Sequence, residues 1–363
     1  MLARTPAAAV AGLLFVLGPA GHLPATATGT ARHAPTAGQV SPGRTATGRD
    51  AVTGRTLSGP AVPSPGVSSV LQDVACTSAR NCWAVGSYDS GAGQLNQALQ
   101  WNGSSWVRIA TPDPGLAGSG LRALNGVSCV SHADCWAVGA HISDRGISRN
   151  AVLQWNGASW SAVSAPNPGQ NVAGNSRELS GVTCVSASDC WAVGSYVSKA
   201  GTGRNEVVRW NGTEWRQVAT HSIGALSGVA CMAAANCWAV QGQTSDTGAV
   251  HWNGTSWSAA ATPVAAELSG VACAAAASCV AVGNYASSAA LLNNVLRWNG
   301  TSWSAVAVPD PGGTGTGAHN RLAAVACTSA KNCWAVGSYW DMSAGAHRNV
   351  ALGWNGHAWS SQR

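Results

Sequence analysis

An all-β fold, a six-bladed β-propeller with four antiparallel strands per blade, is what this 363-residue sequence predicts, and three observations predict it. The first is a repeat. The stretch CTSARNCWAVGSY at 76–88 recurs as CVSHADCWAVGAH, CVSASDCWAVGSY, CMAAANCWAVQGQ, CAAAASCVAVGNY and CTSAKNCWAVGSY, and the six copies hold all 12 cysteines. The second is the period. The first cysteines of successive copies are 53, 55, 47, 42 and 54 residues apart, and periods of about 40 to 50 residues belong to propeller blades or solenoid units. The third is local grammar. Each unit is built of short β-branched or aromatic segments bounded by turn residues, with no helical periodicity along it.

Four strands come out of one unit. In the second copy they are 124–130, 135–140, 151–155 and 160–163. The last two flank Trp-Asn-Gly-x-x-Trp, which reads as a hairpin because Asn-Gly adopts positive φ at low cost. This sets Trp101 opposite Trp106, and likewise Trp155/Trp160, Trp210/Trp215, Trp252/Trp257, Trp298/Trp303 and Trp354/Trp359. Cross-strand aromatic pairs in a fixed register point to packing between neighbouring sheets rather than to sugar stacking at every pair. The Asn-Gly-Ser/Thr sequons at Asn102, Asn211, Asn253 and Asn299 read as turn chemistry.

The cysteines are read as staples. Strand alternation puts the two cysteines of a copy on one face of adjacent strands, where their sulfurs can meet. An even count at fixed spacing in an exported chain indicates disulfides. A C-x5-C spacing suits neither a zinc finger nor a C-x-x-C redox centre. The predicted bridges are Cys76–Cys82, Cys129–Cys135, Cys184–Cys190, Cys231–Cys237, Cys273–Cys279 and Cys327–Cys333. In the chain-entropy picture each such short loop contributes about 2 kcal/mol.

Export is inferred from the N-terminus. Residues 1–27 combine Arg4, an apolar stretch from Ala7 to Leu17 and the small residues Ala25-Thr26-Ala27, the layout of a secretory signal peptide. The apolar stretch is shorter than the about 20 residues a membrane-spanning helix needs. Residues 28–60, rich in Ala, Thr, Gly, Pro and Arg without an aromatic side chain, read as a flexible linker. The propeller takes 61–363, with blades at about 68–115, 121–169, 176–220, 223–263, 265–312 and 319–363. Of the formal charge of +6, residues 1–60 carry +4, from five arginines against Asp50. The near-neutral remainder does not support a nucleic-acid footprint.

The order Trp-Asn-Gly-x-x-Trp, Pro-x-Pro, then an apolar strand ending in Val-Gly-Ser-Tyr resembles the kelch-type repeat. The C-x5-C-W-A-V-G unit is similar to repeats of secreted bacterial proteins placed with kelch and galactose-oxidase-like propellers. The resemblance covers 61–363. It departs from kelch in having one glycine where kelch has two, and in its cysteines. It implies the fold rather than an activity. The copper chemistry of that family does not transfer. Tyr88, Tyr196, Tyr285 and Tyr339 occupy one repeated strand end, and His132, His141, His221, His251, His319, His347 and His357 show no ligand spacing. WNGTSW resembles the end of a sialidase Asp-box without its aspartate. The 13 acidic residues from 61 onward show no carboxylate pair for glycoside cleavage. The same hairpin resembles one in six-bladed fucose lectins, approached only by Glu206 and Arg209 beside Trp210.

In a four-stranded blade the 1–2 and 3–4 turns lie at one end of the propeller, and the 2–3 and 4–1 loops at the other. The first pair is short and uniform, the second long and varied, as in HISDRGISRN and PNPGQNVAGNSREL. Variable loops on a rigid scaffold are where function sits. Arginines gather there. Arg122, Arg177 and Arg321, just before the first strand of their blades, are expected to rim the central channel. Arg149, Arg204 and Arg348 precede the third strand, and the six form the candidate ligand-binding set. Asn96, Asn150, Asn205, Asn293 and Asn349, each five residues before a hairpin Trp, are read as structural hydrogen-bonding positions.

The expected protein is therefore a secreted, monomeric scaffold that binds a protein or a cell-surface glycan through its 2–3 and 4–1 loop face. It is expected to have no metal, no cofactor, no catalytic set and no nucleic-acid partner. An extracellular carbohydrate-active enzyme and a purely structural surface module are the alternatives. The last copy ends early, at HAWSSQR, while AVPSPG at 61–66 matches the close of a fourth strand. Residues 57–64 are accordingly expected beside the outer edge of the last blade, tying the ring together.

Overall fold

A computed structural model describes residues 68–113, 122–220, 224–242, 248–264 and 266–362. Among them are six four-stranded antiparallel sheets, each with its strands in sequence order. The second blade comprises β5 (Arg122–Ser131), β6 (Asp134–Ile142), β7 (Ser148–Trp155) and β8 (Trp160–Ala162), close to the predicted segments. The other blades span 69–109, 177–217, 226–260, 267–305 and 320–361. The signal-peptide and linker expectations fall outside the described residues.

Every blade carries the predicted disulfide, joining its first and second strands. The two cysteines of each pair sit directly opposite, as in Cys129↔Cys135, with only two residues between the strands. The Asn-Gly hairpin closes beside this turn. Its first Trp donates its indole N–H to a carbonyl of the cysteine turn, as Trp155 to His132 at 3.1 Å and Trp210 to Ala187 at 3.0 Å. Gly157, at φ 95°, needs the freedom only glycine has, and the Asn156 Oδ1 accepts the N–H groups of Ala158 and Ser159. Both short turns thus lie at one end of the blade, as the sequence predicts.

The glycine ending Cys-Trp-Ala-Val-Gly has a separate cause. The first strand shifts register there, between Leu124 and Gly126 in the second blade. This bulge brings the Ala123 carbonyl oxygen to 1.9 Å from where a Cβ on Gly139 would stand. Gly86, Gly194, Gly283 and Gly337 face the same constraint.

Blades pack through aromatic clusters. The Trp after the second cysteine is buried against the hairpin pair of the next blade: Trp83 lies 4.7 Å from Trp155 and edge-on to Trp160 at 5.0 Å. Trp136, Trp191 and Trp238 repeat the arrangement, and Val280 takes the place in the fifth blade. At the inner edge, successive first strands touch through Gly126, Gly181, Gly228 and Gly270. A Cβ on Gly126 would lie 3.0 Å from the Gly181 Cα. All six first strands line one central channel of about 180 Å³.

Five seams are packed and the sixth differs. Leu71 of the first blade is 41 % exposed, whereas its counterparts Leu124, Leu179, Leu226, Leu268 and Leu322 are at most 1 % exposed. Trp334 of the last blade is 47 % exposed, against at most 2 % for Trp83, Trp136, Trp191 and Trp238. Among the described residues nothing covers the facing surfaces of the first and last blades, and the expectation of six equal Trp-pair contacts holds for five. The two departures from the inner glycine series, Asp73 and Ala324, flank this seam. Each puts a Cβ where the packed seams bring glycines together.

The strand-closing segment 57–64 lies outside the described residues, but Asn349 offers a test of its role. In three blades the equivalent asparagine grips the Pro-x-Pro that follows its fourth strand. Asn96 Nδ2 donates to the Pro112 carbonyl, Asn150 Nδ2 to Pro166 and Asn293 Nδ2 to Pro309, at 2.8–3.2 Å. Their backbone N–H groups bond Asp113, Asn167 and Asp310. Those three asparagines are buried, while Asn349 is exposed. Pro63-Ser64-Pro65 supplies the same pattern. Deleting residues 1–66 is expected to lower Tm relative to deleting 1–50. Asn349→Ala is expected to lower Tm in the longer chain and leave the shorter one unchanged, a coupling read by differential scanning fluorimetry. Equal melting of the two truncations would show that this segment contributes nothing.

Candidate functional site

The end of the propeller opposite the disulfides carries connections of very different lengths. The 4–1 connections range from 261–266 to 163–176, and the 2–3 loops include 90–93, 143–147, 198–202 and 342–345. Four clefts of about 200–280 Å³ open here, at the first, second, third and last blades.

The six candidate arginines have different surroundings. Arg177 is buried, and its guanidinium is spent on main-chain carbonyls: Pro168 at 2.7 Å, Ser148 at 2.8 Å and Gln170 at 3.2 Å. Burial pulls its pKa down, with Arg149 adding to the effect and Glu206 opposing it. Arg122 is also buried, while Arg321 and Arg204 are exposed. Arg348 is exposed and pairs with Asp341 at 3.4 Å. The channel lining includes Gln72, Asp73, Asn125, Ser180, Ser227 and Ser269, and none of the six arginines. Arg122 and Arg177 open the first strands of the second and third blades and Arg321 is the second residue of the last blade's first strand, all outside this lining. Arg177 needs its donors for the 4–1 loop, because a buried guanidinium must satisfy them locally.

What the structure does bring together is a basic edge on the second blade. Arg122, His141 and Arg149 sit on directly paired positions of β5, β6 and β7. Burial lowers the His141 pKa, and the charges of Arg149 and Arg122 lower it further. His141 and Arg149 line a cleft of about 230 Å³ with Ser143, Asp144 and Arg145.

Between the second and third blades lies a buried carboxylate. Glu206 is fully buried and accepts a hydrogen bond from Asn150 Nδ2 at 2.8 Å. Burial pushes its pKa up to about 8, against the lowering effects of Asn150 and Arg177. Asp73, which accepts the Val127 N–H across the first seam and the N–H of its own neighbour Val74, is raised to about 6, again by burial. Both serve packing between blades. Among the described residues no three His, Cys, Asp or Glu side chains are placed to hold a metal ion.

One functional candidate escaped the arginine-centred reading. On the last blade, Trp340 and His347 face each other across the second and third strands, ring centroids 5.0 Å apart and nearly perpendicular. With Gly317 and His319 they line a cleft of about 220 Å³. A signal was present in the sequence. Of 18 tryptophans, 12 are hairpin residues and five follow a second cysteine, which leaves Trp340 alone outside the repeat.

Comparison of the sequence with known protein families and with characterised proteins finds no match. Solved structures do match. A GH74 xyloglucanase from Xanthomonas campestris is similar at 13% identity and a TM-score of 0.55, over 84% of this chain and 46% of that one. This chain therefore spans under half of that enzyme. YCF48 bound to D1 peptide is similar at 12% identity and a TM-score of 0.50, over 83% of each chain. At such identities the likeness is one of fold, and it places this chain among the β-propellers.

Proposed function

We propose that this chain is a secreted, kelch-like binding module that acts as a monomer and takes a protein or a cell-surface glycan on its loop face. The carrying observation is the asymmetry of the two ends. One is stapled by six disulfides and uniform turns, and the other opens into clefts between loops of differing length and charge. A rigid framework below variable loops supports recognition because the binding surface is ordered before the ligand arrives. The disulfides suggest an oxidising, extracellular setting. The similar solved propellers are named for a bound peptide and for a xyloglucanase, which supports keeping both ligand classes.

A screen of the purified protein against glycan and cell-wall polymer arrays and against cell-surface proteins tests this reading. Saturable binding is expected. Replacing loops 143–147 and 198–202 with Gly-Ser turns should weaken it at least tenfold, whereas altering the Asn-Gly turns should not. Binding that survives loop replacement and follows the disulfide end would overturn the assignment of the face.

A further inference from the structure

We propose that Trp340, His347 and His319 form a carbohydrate subsite that stacks a single neutral pyranose ring on the Trp340 indole. The inference rests on the loop-face reading and names the ligand chemistry of one cleft. Trp340 is only half-buried, and both histidines are exposed. Five other tryptophans at the repeated Cys-Trp position and twelve in the hairpins serve the repeat itself. Trp340 belongs to neither set.

The cleft is held in place by the main chain around it. Trp340 N–H bonds the His319 carbonyl at 2.8 Å, and the 4–1 connection before His319 is tied to the fifth blade. There Leu291 N–H bonds the Ala318 carbonyl at 2.9 Å and Gly317 N–H bonds Ala289 at 3.2 Å. Ala318 is fully buried beneath it. Gly317 has φ 83°, and the space where its Cβ would stand is open, so nothing roofs the cleft at that point.

The lining chemistry selects the ligand. Gly317, His319, Trp340 and His347 include no carboxylate, lysine or arginine, so a charged ligand finds no counter-ion among them. The negative face of an indole attracts the C–H edges of a flat ring. Imidazole nitrogens make hydrogen bonds that suit hydroxyl groups. Drug-sized ligands occupy pockets of about 300–1,000 Å³, and this cleft, at about 220 Å³, suits one sugar unit. The Arg348–Asp341 pair beside it neutralises the adjoining charges.

Isothermal titration of the full chain against glucose, galactose, mannose and N-acetylglucosamine, as methyl glycosides and short oligosaccharides, tests the proposal. At least one should bind saturably. Trp340→Ala should weaken that binding about tenfold or more, and His347→Ala by a smaller factor. Trp340→Phe, which keeps an aromatic face, should lie between wild type and Trp340→Ala. Melting curves of all three should match wild type, because none of these side chains is core. Saccharide binding unchanged by Trp340→Ala but lost with loops 143–147 and 198–202 would overturn the subsite and leave the loop-face reading standing. Protein binding with no saccharide binding would do the same. Absence of every ligand class would overturn both.

Discussion

Trp191→Ala should destabilise the propeller by about 3–5 kcal/mol, whereas Trp334→Ala, at the same place in the repeat, should cost well under about 1 kcal/mol. Trp191 is fully buried, 4.8 Å from Trp252 and edge-on to Trp257 at 5.4 Å. The Arg209 guanidinium covers its ring at 4.8 Å and is held there by Asp189 at 2.8 Å. Removing the indole leaves a large cavity between two blades and frees a guanidinium positioned over nothing. Trp334 is 47 % exposed and faces the uncovered seam, with Val336 beside it equally exposed. Since a domain's whole stability is about 5–15 kcal/mol, the contrast is readily measured by urea denaturation at constant pH. Equal losses for the two variants would show that the last seam closes in solution with the same packing as the other five.

The second large effect is a pH dependence centred on Glu206. Burial raises its folded pKa to about 8 from an ordinary value of 4.5, so the folded protein prefers the protonated carboxyl. The stability this group allows is complete below pH about 4.5 and is lost as pH rises through about 8, where a buried charge must form. The loss is on the order of a few kcal/mol at most, since Asn150 and Arg177 partly support the anion. Glu206→Gln keeps the shape and an oxygen for Asn150 while removing the titration. Its Tm should exceed that of wild type at pH 9 and differ little at pH 5, measured in matched buffers. A wild-type Tm that falls no more steeply than the variant's between those values would refute the assignment.

Much of this architecture is legible in the sequence because the repeat states each local rule six times. Cys129 and Cys135 flank a two-residue turn, and strand alternation alone brings their sulfurs together. Asn156-Gly157 can close only a tight hairpin, so Trp155 and Trp160 must pair. Asn96, Asn150 and Asn293 recur because a Pro-x-Pro segment needs a donor beside it, and the structure finds that bond. The site was less legible. Arg177 and Arg321 both stand at the start of a first strand but one residue out of register. Arg177 pairs with Tyr196, as Asn320 pairs with Tyr339, whereas Arg321 pairs with Ser338. One is therefore sealed under its own 4–1 loop and the other is exposed. Strand alternation decides that outcome, because a one-residue offset turns a side chain to the opposite face of the sheet, and the offset shows only once the pairing is known. Trp340 could have been found by subtraction, as the tryptophan that the repeat does not require.

By itself the sequence determined the blade: its four strands, its staple, its hairpin and the end of the sheet that varies. These follow from contacts within about 50 residues, where turn geometry and alternation leave few choices. Only the tertiary structure decided how blades meet. It set each Cys-Trp indole on the next blade's Trp pair, drew Gly126, Gly181, Gly228 and Gly270 into backbone contact, and left Leu71 and Trp334 facing an uncovered seam. Those outcomes depend on the angle accumulated over six sheets and on which Cβ atoms stand at each edge. No single repeat contains that information, because an identical Trp is core in one blade and surface in another according to what lies beside it.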